Sequence, residues 1–271
     1  MNAMSIPIER GLVRTHTGHI HYRSAGSGPP ILLAHINQQS SALQLELLQA
    51  LASSLRVVAI DYPSHGHSDA IDWQPSIGTY ARCALEVMDA LAIDRFTALG
   101  EAVGAAVATE LAVAFPERIE RVVLVNCPFY PDRATRDRSH APLKSGLRPA
   151  DPSGFPITRT REFLLEHDPA HAPMQPTQSW MDRVNTAQIE AGRNRWQALD
   201  ALHAYDLNAM LARITQPVLL LIGEHFHYAR FQDDFARIIA NVHIIPGARF
   251  CMTWERAAEV AQFAAEFVRG A

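Results

Sequence analysis

The stretch Arg95–Cys127, RFTALGEAVGAAVATELAVAFPERIERVVLVNC, reads as strand, sharp turn, helix, strand. Its apolar run Phe96–Leu99 ends at Gly100-Glu101-Ala102-Val103-Gly104. Small residues then support a helix from about Ala102 to Phe115. Pro116 closes it, because proline has no N–H with which to continue a helix. Val122–Val125 is a second buried strand. The two glycines bracket the turn because its backbone leaves little room for Cβ atoms.

Outward from this unit the chain keeps alternating. Leu12–Thr15 and His19–Arg23 alternate around Thr17-Gly18, a hairpin signal. Ile31–Ala34 is a short buried strand ending at His35. Leucines at 43, 47, 48 and 51 place a helical stripe on Ser40–Ser54, with Ser40 or Ser41 as its cap. Val57–Ile60 is a strand and Ile77–Leu91 a helix. After the central unit, Pro217–Ile222 and Val242–Ile245 are strands, and Thr253–Val268 is an amphipathic closing helix. Strands alternating with helices predict an α/β protein with a mostly parallel sheet covered on both faces.

With these residues in view, the chain resembles the α/β-hydrolase family. The carriers are the strand ending in His35, the segment D-x-P-x-x-G-x-S-D at Asp61–Asp69, and the turn G-x-A-x-G at Gly100–Gly104. In that family a G-x-S-x-G turn lifts a nucleophilic serine above the sheet. The resemblance covers about residues 10–127 and 205–271. It implies an α/β-hydrolase core at 1–127 and 205–271, with an inserted helical cap at 128–204. Within the insert, Phe129–Pro156 reads as loop, and Arg161–His167 and Ser179–Leu202 read as helices. From Asp132 to Arg161 there are seven basic and three acidic residues. A solvated face accounts for them. A lid attracting an anion is the sharper reading, since arginine binds carboxylate bidentately.

The resemblance also assigns the catalytic positions, and each lacks its reactive group. The nucleophile position is Ala102, which has no nucleophilic atom. The acid position falls on Phe226, and the histidine position, with a one-residue gap, on Arg249. Loss of the nucleophile alone removes roughly 10⁶-fold of the rate in a comparable triad. The remaining candidates are weaker. Glu101 could act as a base if burial raised its pKa. His35 belongs to the loop that in the family supplies part of the oxyanion hole, and there it mostly structures that loop. Asn37, Gln38 and the Val103 N–H could bind a polar ligand. Cys251 could hold a thiolate beside Arg249. His65, His67, His225 and His227 lie near strand ends, but the spacing supplies no third ligand, so no metal site is expected.

Composition narrows the function further. The chain has 271 residues and a net charge of −4, which argues against nucleic-acid or membrane partners. Lys144 is the only lysine, so Schiff-base chemistry has one candidate. Three cysteines match no metal spacing. No leader pattern and no spanning segment appear, so the expected location is cytoplasmic, with no cofactor. A dimer is compatible with the sequence, but no stripe or heptad argues for one. The sequence therefore predicts an α/β-hydrolase fold without the triad, binding or sensing a small organic molecule. The competing expectation is a lyase, isomerase or hydrolase working through Glu101, His35 or Arg249.

Overall fold

The structure is a computed structural model that describes residues 6–138 and 176–270. Strands β1 (Glu9–Thr15), β2 (Gly18–Ala25), β3 (Pro30–Ala34), β4 (Arg56–Ile60), β5 (Phe96–Glu101), β6 (Ile119–Val125), β7 (Val218–Gly223) and β8 (Asn241–Ile245) form one sheet. Their order is β1-β2-β4-β3-β5-β6-β7-β8. The β1–β2 and β2–β4 pairs are antiparallel, and every pair from β4 through β8 is parallel. The parallel strands are almost wholly buried, as strands covered on both faces must be.

Two apolar clusters cover the two faces. One includes α2 (Ile77–Ala90) and α3 (Val103–Ala114), and the other α1 (Leu45–Ala52) and the C-terminal helices. Helix α3 is buried on nearly all sides, which explains its run of Ala, Val and Gly. Ser76 opens α2 with a capping box, exchanging bonds with Thr79. Ser40, not Ser41, caps the leucine stripe, and a 3₁₀ turn at Ser41–Gln44 precedes α1. Ser41 is taken elsewhere: its N–H donates to Asp61 and its hydroxyl accepts from Arg23.

The described residues between β6 and β7 lie outside the sheet. A short helical stretch at 133–138 stands within what reads as loop, and Asp132 Oδ1 accepts the Thr135 N–H at 2.6 Å to open it. The helix expected at Arg161–His167 lies outside the described residues. Helix α4 (Gln178–Ala191) begins at the Thr177 cap. A tight turn at Gly192–Trp196, with Gly192 at φ 54, leads into α5 (Gln197–Ala204) and α6 (Leu207–Leu211). Trp180, Met181 and Val184 of α4 pack over the ends of β3 and β5, against Ile36 and Ala102. After β7 comes α7 (Gln232–Ala236). The closing helix is two pieces, α8 (Met252–Glu255) and α9 (Ala257–Arg269). Arg256, at φ −120 and ψ 31, breaks it. Among the described residues, no helix is long and apolar enough to cross a membrane.

Candidate functional site

The site forms where the strand order reverses. From β3 the chain moves outward to β4 and then returns across β3 to β5, so the ends of β3 and β5 flank a crevice. Ala102 sits at the tip of β5 with φ 53 and ψ −110. A residue with a Cβ adopts this region at a cost on the order of 1–3 kcal/mol. The neighbouring glycines are required sterically. A Cβ on Gly100 would lie 1.9 Å from the Gly104 carbonyl oxygen, and one on Gly104 would lie 2.1 Å from that of Ala34. The strained turn is therefore complete, with a methyl group where a reactive atom would stand. Ile36, Leu43, Trp180, Met181, Val184 and Cys251 surround that methyl, and it is nearly inaccessible to solvent.

Glu101 points the other way, as the next residue back along a strand must. It is fully buried. Its Oε1 accepts from Met252 N–H at 2.8 Å and Asn126 Nδ2 at 3.2 Å. Its Oε2 accepts from Thr253 N–H at 3.2 Å and Thr253 Oγ1 at 2.5 Å. Burial raises its pKa, against the pull of these donors. Three of these bonds tie the turn to α8, and the fourth ties it to Asn126 at the end of β6.

The acid position, Phe226, holds an aromatic ring, and the histidine position, Arg249, lies beside a second one, Phe250. Phe226 is buried, and its ring stacks on Phe250 with centroids 5.7 Å apart and planes 14° from parallel. Phe250 also packs against the cluster that holds Ala102. The side chain bridging Phe226 and Ala102 is therefore that of Phe250, one residue beyond Arg249. Arg249 is half-buried, and its carbonyl accepts from Asn126 Nδ2 at 2.8 Å. Asn126 stands at the end of the strand after the elbow helix, where some members of the family carry the acid, and it offers an amide in place of a carboxylate. At φ 45 it joins the ends of three strands: its Oδ1 accepts the Gly223 N–H at 3.0 Å, and its amide serves Glu101 and Arg249. A lone polar residue after an apolar strand carried no signal of this.

His35 is fully buried and neutral in its network. Nδ1–H donates to the Ile36 carbonyl at 2.7 Å, and Nε2 accepts the Tyr62 N–H at 3.2 Å. The Tyr62 hydroxyl returns a bond to the His35 carbonyl at 2.9 Å. Burial lowers the pKa of His35 from 6.5 to about 3. The unfolded chain therefore takes up this proton first as the pH falls. Stability is expected to decline from about pH 6.5 towards pH 3, by up to about 1.4 kcal/mol per pH unit. His65 is shifted downward for the same leading reason and adds to the slope. Melting temperatures measured between pH 7 and pH 5 should fall, and His35→Gln should flatten the fall. An unchanged slope in that variant would contradict the assignment.

The amide-rich loop is engaged internally. Gln38, at φ 60, accepts from Gln188 of α4 at 3.4 Å, and Gln39 Nε2 contacts the buried Cys251 Sγ at 3.8 Å. Cys251 is in the left-handed region at φ 63. Asn37 is half-buried beside them, and Val103 opens α3, so its N–H has no acceptor within the helix. His225 and His227 are exposed. His225 faces Glu224, and His227 packs on Phe226 and Tyr228. Further out, an open cleft of about 470 Å³ is lined by Pro131, Asp132, Thr135, Arg138, Arg230 and Phe231.

Comparison with known proteins agrees with this architecture. Haloalkane dehalogenase 2 of Mycobacterium tuberculosis is 29% identical over 222 residues, covering 80% of this chain and 75% of the relative. Two hydrolases of known structure share the fold. The enol-lactonase from Burkholderia xenovorans LB400 superposes with a TM-score of 0.72 at 23% identity, covering 96% of this chain and 100% of its own. E-2-(Acetamidomethylene)succinate hydrolase superposes with a TM-score of 0.77 at 20% identity, covering 98% and 100%. A family model described as the alpha/beta hydrolase fold matches residues 29–255. With the eight-stranded sheet and the glycine-bracketed turn at Ala102, that match establishes that this chain belongs to the α/β-hydrolase fold family.

Proposed function

We propose that this protein is a non-hydrolytic member of the family that binds a small organic acid between its strand ends and a helical cap formed within residues 128–204. The observation that carries this reading is the turn at Ala102. Its strained backbone persists without a nucleophile, and the acid position, Phe226, is an aromatic ring stacked on Phe250, the neighbour of the histidine position Arg249. The apolar side chains of Trp180, Met181 and Val184 suit the hydrocarbon part of a ligand. Arg138 and Arg230 on the outer cleft suit its carboxylate. Glu101 is a poor general base, because four donors hold both of its oxygens. Cys83, Cys127 and Cys251 are buried and form no disulfide with one another, which suits a reducing, cytoplasmic setting.

The test pairs turnover with binding. The wild-type protein is incubated with a panel of activated esters and thioesters, and its melting temperature is measured with organic acids and their amides. No rate above buffer and a rise with the acids alone are expected, with the rise reduced in Arg138→Ala and Arg230→Ala. Turnover by the purified protein overturns the non-hydrolytic reading. An equal response to acids and amides overturns the anionic ligand.

A further inference from the structure

Away from the crevice, three metal-ligating side chains converge from separate segments. Residues 21, 61 and 67 come from β2, the end of β4 and the loop that follows it. One ligand atom from each of His21, Asp61 and His67 lies within 4.8 Å of the others. His21 Nδ1 is 2.9 Å and His67 Nδ1 4.0 Å from Asp61 Oδ2. The imidazole rings of the two histidines are 5.0 Å apart. His21 and Asp61 are buried and His67 is exposed, so the cluster is fixed on its inner side and open on its outer side. Ser41 N–H donates to Asp61 Oδ1 at 2.6 Å and His67 N–H to Oδ2 at 3.0 Å, which fixes the carboxylate plane.

We propose that His21 Nδ1, Asp61 Oδ2 and His67 Nδ1 form a binding site for a divalent transition-metal ion of the zinc type. Two imidazoles and one carboxylate are a ligand set that suits Zn²⁺, Co²⁺ or Ni²⁺ over Mg²⁺ or Ca²⁺. Ligand atoms about 2.0–2.2 Å from a shared ion lie closer together than the widest spacing here. The exposed His67 side chain is the one free to make that adjustment. Ligation through His21 Nδ1 requires the ring to carry its proton on Nε2, so the hydrogen bond to Asp61 is exchanged for the two metal bonds. Glu190 of α4 supplies the outer support: its Oε1 is 3.7 Å from His67 Nε2, the nitrogen that points away from the ion. A carboxylate on the distal nitrogen of a metal-bound histidine orients the ring and raises its basicity. Arg23 is near enough to both Asp61 and Glu190 to feel their charge, and it offsets one of the two negative charges. Because Glu190 belongs to the segment between β6 and β7, the ion would fasten α4 to the core.

The experiment uses the full chain after chelator treatment and dialysis. ZnCl₂ is titrated by calorimetry, and CoCl₂ by visible absorption, whose ligand-field bands report nitrogen and oxygen donors. One equivalent should bind, and the melting temperature should rise with Zn²⁺. His67→Ala should weaken binding at least about 10-fold, and Glu190→Gln should weaken it about 10-fold as an outer-shell change. His67 is exposed, so His67→Ala should melt like the metal-free wild type. The control His225→Ala should bind like wild type. Absence of saturable binding, or one equivalent bound equally well by His67→Ala, overturns the proposal. Loss of binding in His225→Ala would place the ion elsewhere and overturn it too.

Discussion

Ala102→Ser alone should leave the protein without esterase activity, whereas the triple variant Ala102→Ser, Phe226→Asp, Phe250→His should acquire it. A lone serine at the tip of β5 would face Phe250 and apolar side chains, with no base to take its proton. The triple variant places an imidazole where the Phe250 ring lies and a carboxylate behind it where Phe226 lies. A positioned base contributes typically 10²–10⁴-fold, so the triple variant should hydrolyse an activated ester at least about 100-fold faster than Ala102→Ser. The parallel variant carrying Arg249→His instead of Phe250→His should stay at the level of the single change. Phe250, not Arg249, packs on both Phe226 and the Ala102 cluster. Initial rates on an activated ester decide the matter. Activity in the Arg249→His variant but not the Phe250→His variant would show that Arg249 faces the turn.

Glu101→Ala should destabilise the protein by about 4 kcal/mol, because it leaves Met252 N–H, Thr253 N–H and the Asn126 amide buried without their acceptor. In a chain of this size that corresponds to a fall of about 10 °C in melting temperature. Glu101→Gln should cost about half as much, since its amide oxygen keeps one side of the network while its NH₂ group meets donors. Urea denaturation of the two variants measures both values. The use of Glu101 as a base predicts the opposite pattern, an intact fold with altered chemistry. Native stability in Glu101→Gln would therefore contradict the structural role.

The glycine-bracketed turn and the alternation of strands and helices were readable in advance because they rest on local rules. Gly100 and Gly104 are four residues apart, and the clashes that exclude Cβ atoms arise within the same strand–turn–helix unit and its neighbour β3. The missing nucleophile at Ala102 was equally local. The short helix at 133–138 escaped, because one Asp132 cap outweighs a loop-like composition. The break at Arg256 escaped as well, because an amphipathic period continues across a single non-helical residue.

The roles of individual polar residues came from contacts between distant segments, which no spacing rule reaches. Glu101 could act as a base beside the lost nucleophile, yet three of its four donors are 151 and 152 residues further along the chain. The stack of Phe226 on Phe250 and the junction made by Asn126 depend on loops that meet only after the sheet has formed. His67 reads in the sequence as a surface or structural histidine, and the antiparallel pairing of β2 with β4 brings His21 and Asp61 to it. Periodicity and steric exclusion act between near neighbours and so can be read along a chain. Hydrogen-bond satisfaction of a buried group depends on whichever atoms the packed fold brings within about 3 Å of it.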